Sequence, residues 1–205
     1  MTTNDGHIST THIGSLPRPP ELLDLLTRRQ DGESVDPDEW DETVADATRD
    51  VVDRQVETGL DSINNGEQSR VSFNWYVADR LSGIDGKRET ELWADLQEFP
   101  SYAEETFKTD VIDLSMHPVV TEAVEYTGRE EAEAEIDEFT DALAAADRDV
   151  DDAFMTAASP SVVTATHVDD HYGDYEEYLF AVAEAMKTEY ELVADAGLTL
   201  QIDAP

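Results

Sequence analysis

The chain has 205 residues, 40% of them hydrophobic, enough for one domain with a packed core. It carries 49 Asp and Glu against 13 Lys and Arg, a formal net charge of −36. Such a surface repels phosphate, which excludes nucleic acid and anionic membrane as partners. The absence of cysteine excludes disulfides and thiolate metal sites within these residues.

The acids are spread among apolar positions instead of gathered in a tail, and lysine occurs only at Lys87, Lys108 and Lys187. Exposed like charges feel one another across about 10 Å in 0.1 M salt but only about 3 Å in 1 M salt. A composition of this kind is expected to be a halophilic adaptation, with concentrated salt screening the self-repulsion. No apolar run reaches the roughly 18 residues of a spanning helix, and Met1-Thr2-Thr3-Asn4-Asp5-Gly6 lacks the pattern of a signal peptide. A cytoplasmic location is therefore the expectation.

Residues 7–15, rich in Thr and Ile and closing near Gly14, predict a first strand. Pro17, Pro19 and Pro20 break pairing and start a short helix over 21–27, with an acidic loop at 30–36 after it. Asp36 before Pro37 opens a helix in which Trp40, Val44, Ala47, Val51, Val52 and Val56 form an apolar stripe, and Gly59 ends it. A short strand at 60–64 follows, and then Phe73, Val77 and Leu81 predict a helix over 69–81. Residues 82–110 mix Gly83, Gly86 and Pro100 with Leu92, Trp93, Leu96 and Phe99, and are expected to be a long excursion with at least one helical turn.

Residues 119–126 alternate as a strand that Gly128 ends, and Ile136, Phe139, Leu143 and Ala146 mark a helix over 129–146. Residues 153–166 are expected to be extended, interrupted at Ser159-Pro160. Tyr175, Leu179, Val182, Met186, Tyr190 and Val193 set a helix over 174–196, started by a capping-box-like Asp174 and Glu177 and ended by Gly197. A strand at 198–202 closes the series.

Two junctions repeat. A helix, Gly59, Leu60 and a strand ending Ile63-Asn64 match a helix, Gly197, Leu198 and a strand ending Ile202-Asp203. This is the grammar of βα units with parallel strands, and it suits an open doubly wound sheet as well as a barrel. Asp203-Ala204-Pro205 follows the last strand with no helix to cover it, as a buried parallel strand requires, so truncation is expected.

In parallel α/β folds, functional groups gather at strand C-terminal ends. Three clusters sit there. In Thr11-His12-Ile13-Gly14-Ser15-Leu16-Pro17-Arg18-Pro19, Gly14 allows close backbone approach, and Gly14 and Ser15 offer N–H groups suited to a carboxylate. A strand end turning into a loop would account for the same residues. In Asn64-Asn65-Gly66-Glu67-Gln68-Ser69-Arg70, Glu67 is placed for an ammonium or a metal, or for a helix N-terminus. In Gln201-Ile202-Asp203, an acid ends a buried strand, where it is costly unless paired. His167 and His171 lie four apart but are two ligands at most, and His12 and His117 are lone, so no native metal site is assigned from spacing.

Together the first cluster, Asn65-Gly66-Glu67-Gln68-Ser69 and Leu200-Gln201-Ile202-Asp203 resemble the catalytic domain of cobalamin-independent methionine synthase and its shorter archaeal and bacterial relatives. The resemblance runs over nearly the whole chain and takes in Ser159-Pro160 and the helix leading to the Asp203 strand. It implies a (β/α)₈ TIM barrel of which residues 1–205 are a partial domain, about the first four or five βα units, with the excursion near 82–110. The implied reaction moves the methyl group of a methylated folate to homocysteine, giving methionine at a zinc-bound thiol. It also implies that Ile13, Gly14 and Ser15 hold the amino acid's carboxylate end, and that Glu67 and Asp203 bind its ammonium.

Two departures stand out. The family's zinc ligands, a His-x-Cys pair, a Glu and a further Cys, lie on later strands, and the tryptophan near the folate has no counterpart around Thr164 to Val168. Two other readings remain open: a related enzyme using another thiol, such as an epoxyalkane–coenzyme M transferase, and a non-catalytic fragment. A second chain could complete the barrel. If the charge is halophilic, the melting temperature should rise by several degrees between about 0.1 M and about 1 M KCl. A level or falling value would count against that reading.

Overall fold

The computed structural model describes residues 6–72, 75–90, 97–102, 116–146, 150 and 152–204. In chain order the elements are α1 (Pro20–Gln30), α2 (Pro37–Thr58), β1 (Ser62–Ile63), α3 (Val77–Arg80), β2 (Ile84–Glu89) and β3 (Met116–Val120), then α4 (Arg129–Ala145), β4 (Asp152–Ala158), α5 (Pro160–Thr166), β5 (Val168–Asp169), α6 (Tyr175–Asp195) and β6 (Thr199–Asp203). The fold is mixed α/β with two three-stranded sheets, β1-β4-β6 and β2-β3-β5. One unit takes in Met1–Phe73, Ala132–Ala157 and Tyr190–Gln201; the other takes in Asn74–Glu131, Ala158–Glu189 and Ile202–Pro205.

The first unit is built on α2. Asp36 accepts the backbone N–H groups of Asp38 and Glu39 at 3.0 and 3.3 Å, and Pro37 occupies the first helical position. Gly59 closes the helix at φ 87°, a left-handed conformation that a side chain would disfavour. One core gathers Val52, Val56, Ile63, Ile136, Phe139, Met155 and Val193, and a smaller one joins Leu22 and Leu26 of α1 to Val44 and Ala47 of α2. Each fully buried side chain of this size stabilises by about 1.5–3 kcal/mol. Strands β1 and β4 are parallel, with Ser62 opposite Asp152, whose carboxylate accepts from the hydroxyls of Ser62 and Thr199.

In the second unit, β2 and β3 are antiparallel and β3 and β5 parallel. A buried carboxylate, Glu189 of α6, accepts from Tyr76 Oη at 2.5 Å, Tyr126 Oη at 2.6 Å and Arg80 Nη1 at 2.9 Å. Burial, followed by the negative charge of Glu189, pushes the Tyr126 phenol far up, so it stays a donor. The chain at 121–128 runs along 80–83, with Thr121 and Glu122 N–H on Gly83 O, and Thr127 and Gly128 N–H on Arg80 O.

The long helices come out as the periodicity predicts, and α1 starts one residue before and ends three after the predicted 21–27. Four segments differ. Residues 7–15 form no strand: among the described residues, the backbone bonds there that reach another segment are Asp61 and Ser62 N–H to Thr10 O, and the Asp61 carboxylate takes Thr10 N–H instead of a ladder partner. The predicted helix 69–81 contracts to α3, since the carbonyls of Glu67, Gln68 and Arg70 are taken by the Arg18 guanidinium (residues 73–74 fall outside those described). The strand at 119–126 lies earlier, at β3, because the bonds to Gly83 and Arg80 replace a ladder beyond Val120. Residues 160–166 are helical, not extended: Ser159 Oγ accepts Val162 N–H and Pro160 sits at the first helical position, so Ser-Pro is a helix start.

Within the excursion, β2 is a strand paired antiparallel with β3 and residues 100–102 are helical, while 91–96 and 103–110 lie outside the described residues. On α6, Tyr175 is exposed and Tyr178 is the aromatic at the core. A Cβ at Gly128 would meet Arg80 Cγ at 2.5 Å and Cβ at 2.6 Å. Gly128→Ala should therefore cost about 1–3 kcal/mol, read as a lower midpoint in denaturant titration. A midpoint equal to wild type would show that Arg80 moves aside freely.

Candidate functional site

The strand end at β1 is fixed from α2. Gln55, buried on the helix, donates from Nε2 to Val51 O and Asn64 O and accepts Asn64 N–H at Oε1, so it pairs with Asn64 as a neighbouring strand would. Asn64 in turn donates to His12 O at 2.7 Å and accepts Gly66 N–H. Leu16 N–H donates to Gly66 O. Gly66 has φ 62°, and a Cβ there would press on Leu16 at 3.1 Å. The next residue, Glu67, also sits in the left-handed region, at φ 54°. A non-glycine residue there is uncommon and is held by its surroundings.

Arg18 does part of that holding. Its guanidinium donates to the carbonyls of Glu67 and Arg70 at 2.6 Å each, and to Gln68 O at 3.1 Å. Burial lowers its pKa from the ordinary arginine value while the Glu67 carboxylate opposes the shift. The Glu67 carboxylate is 2% exposed. It accepts from Ser15 Oγ at 2.6 Å on one oxygen and from Thr156 Oγ1 of β4 at 3.2 Å on the other, so both direct donors are neutral hydroxyls.

The first two sequence clusters thus meet at Ser15 and Glu67. Gly14, at φ 84°, makes the turn between them, and His12 donates from Nε2 to Gly14 O at 3.0 Å, which gives that histidine a structural task. Ile13 is 55% exposed. The N–H groups of Ile13, Gly14 and Ser15 make no hydrogen bond among the described residues, so three donors stand beside a buried acid. Asp203 belongs to the other unit, where its carbonyl accepts Ser159 N–H at 2.9 Å.

Residues that pattern reading passed over support the site. Glu135 of α4 is 4% exposed and pairs with the buried Arg70 at 2.8 Å. Its signal was available: it stands three residues after Ala132 and four before Phe139, on the helix's buried face. Thr156, in a strand of buried residues, gave none. His167 and His171 part company, the first buried and the second exposed. His167 donates from Nδ1 to Val163 O, which leaves Nε2 a buried acceptor without a partner among the described residues, and burial pushes its pKa down to about 4. The groove of about 610 Å³ along α1 and α2, lined by Glu21, Asp38, Glu39, Glu42, Asp46 and Asp50, is an acidic face that includes none of these residues.

Residues 8–205 match the family described as cobalamin-independent synthase, catalytic domain. The chain belongs to that family. A 5-methyltetrahydropteroyltriglutamate–homocysteine methyltransferase of Shewanella oneidensis is 35% identical over 77 residues, which are 38% of this chain and 10% of that protein. The Thermotoga maritima protein of the same name is 31% identical over 75 residues, 37% of this chain and 10% of that one. Among solved structures, a B12-independent methionine synthase from Shewanella sp. W3-18-1, in complex with selenomethionine, has a similar fold. Its TM-score is 0.65 at 20% identity, over 96% of this chain and 51% of that one. A putative vitamin-B12 independent methionine synthase from Listeria monocytogenes gives 0.60 at 21% identity, over 94% and 50%. The chain thus spans about half of these solved chains and a tenth of the curated synthases.

Zinc does not fit what is described of this family member. The chain has no cysteine, and among the described residues no group of three or more His, Asp or Glu comes together to hold a metal ion. Among those residues, too, no helix is long and apolar enough to cross a membrane.

Near the site, Glu138 has its pKa pushed up to about 8 by burial, then by the negative charges of Glu135 and Asp41. A carboxyl raised in the folded state stabilises below its unfolded pKa, and that contribution is lost as pH rises toward 8. Glu138→Gln should therefore raise the melting temperature more at pH 8.5, above the raised value of about 8, than at pH 5, close to the ordinary 4.5. An equal gain at both values would show that Glu138 is ionised throughout.

Proposed function

We propose that this chain supplies the amino-acid-binding part of a methyltransferase that carries the methyl group of 5-methyltetrahydropteroyltriglutamate to homocysteine. The observation that carries the reading is the meeting of Ser15 with Glu67 beside the unbonded N–H groups of Ile13, Gly14 and Ser15. Those N–H groups suit the substrate carboxylate. Glu67 takes the ammonium, entering where the Ser15 hydroxyl now lies, and gains a cation in direct contact where its present direct donors are neutral hydroxyls. The fold similarity to a synthase in complex with selenomethionine, itself an α-amino acid, is consistent with an amino acid as the ligand.

In this reading the described elements are the opening βα units of a (β/α)₈ barrel and residues 1–205 one partial domain of it, working in the cytoplasm on small molecules. The thiolate sulfur of homocysteine forms a bond to the methyl carbon. The methyl–nitrogen bond of the folate breaks, and its electron pair stays on nitrogen, which takes up a proton to replace the one the thiol gave up. This chain's residues hold the amino acid so that its sulfur is presented to the donor; no step is assigned to zinc. A transferase acting on coenzyme M, whose far end is a sulfonate, would leave Glu67 with no ammonium to bind, so the amino-acid thiol is favoured.

The native protein, purified from its source in high salt, should form methionine from homocysteine and 5-methyltetrahydropteroyltriglutamate. Glu67→Gln should lower kcat/KM by tenfold or more, about the loss of one hydrogen bond to a charged group. No methionine from the native protein, or product with coenzyme M instead, would overturn the proposal.

A further inference from the structure

We infer that the buried Arg70–Glu135 ion pair is the positioning device of this site, aiming the Glu67 carboxylate through Asn65 and Thr156. The inference rests on the reading that Glu67 binds the substrate ammonium. Both members of the pair are enclosed, with side chains 2% and 4% exposed. Glu135 Oε1 accepts from Arg70 Nε at 2.8 Å and from Asn65 Nδ2 at 2.8 Å, and its Oε2 accepts from Arg70 Nη2 at 3.3 Å.

Hydrogen-bond polarity gives the pair its hold. A carboxylate only accepts, so Glu135 keeps the amide nitrogen of Asn65 turned toward itself and the amide oxygen toward Glu67, whose N–H donates to it at 3.1 Å. A guanidinium only donates, and Arg70 Nη1 reaches the carbonyl of Thr156 at 2.8 Å and its hydroxyl oxygen at 3.2 Å. The Thr156 hydroxyl must therefore accept from Arg70, and its single proton is left for Glu67 Oε1, at 3.2 Å. One ion pair thus fixes the sense of a bond to the Glu67 backbone and of another to its carboxylate.

Glu67 needs that control, because its left-handed φ of 54° persists only where the surroundings over-determine it. A buried ion pair kept for stability alone is readily replaced by apolar groups, whereas one that sets the direction of a binding group is not.

The test is calorimetric titration of the native protein with L-homocysteine and with 4-sulfanylbutanoate, the same thiol acid without its amino group. The ratio of the two affinities reads the ammonium contact alone. Glu67→Gln should abolish the preference for homocysteine. Thr156→Val and Glu135→Gln should each lower homocysteine affinity about tenfold and leave 4-sulfanylbutanoate unchanged, while Thr156→Ser, which keeps the hydroxyl, should restore the ratio. In a Glu67→Gln background, Thr156→Val should have no further effect on the ratio.

A wild-type ratio in Thr156→Val, with Glu67→Gln still collapsing it, would overturn the positioning role and leave the ammonium reading standing. A wild-type ratio in Glu67→Gln would overturn both. Should Glu135→Gln fail to fold, Asn65→Leu, which leaves Thr156 in place and cuts the link from Glu135 to the Glu67 backbone, should lower the ratio about tenfold, and a wild-type ratio there would overturn the positioning role.

Discussion

A carboxylate shut away from water must find its hydrogen-bond donors inside the protein, and much of the first unit follows from meeting that need at Glu67. Its charge is costly to bury, and its backbone is in a conformation that side chains seldom adopt. The unit answers with contacts from every neighbouring segment: Ser15 from the N-terminal segment, Thr156 from β4, Arg18 on the loop carbonyls and Asn65 on the backbone N–H. Gln55 anchors the start of the same loop from α2. None of these groups is close to Glu67 in the chain except Asn65, so the arrangement exists only once α2, β1, α4 and β4 have packed. The apolar core of Val56, Ile63, Ile136 and Met155 is thereby a precondition of the polar site above it.

The second unit repeats the device with different partners. Glu189, a carboxylate on a buried helix face, is satisfied by two phenols and a guanidinium, and Arg80 also lies over the Tyr76 ring at 4.7 Å. Gly128 matters because its missing side chain lets the chain pass against Arg80. In each unit one arginine and one helix-borne glutamate are enclosed together, and removing either partner alone would leave an uncompensated charge.

How much of this could be read in the residues depended on the range of the interaction. Helices α2, α4 and α6 were legible because their stripes and caps are local: Asp36, Pro37 and Gly59 announce both ends of α2. Glu67 and Gly66 were legible by type and by their place just after a strand. Segments 7–15 and 69–81 were misread because their backbone groups are claimed by side chains distant in sequence, Asp61 in one case and Arg18 in the other. The Ser159-Pro160 pair was read as an interruption when its local chemistry is that of a helix cap. Glu135 was legible in principle, as a charge on an apolar stripe, but its partner Arg70 and its dependent Thr156 were not, since no spacing rule links residues 65 and 86 positions apart.

The enclosed arginines have an effect beyond the two units. Each of Arg70 and Arg80 is cancelled by an equally enclosed glutamate, so the two pairs contribute nothing to the net charge, and the formal −36 falls almost wholly on the remaining residues. With so few basic side chains, the outer shell has little means of neutralising itself from within. Dissolved cations gathered around the protein supply the balance, and their concentration sets how far the remaining like charges feel one another.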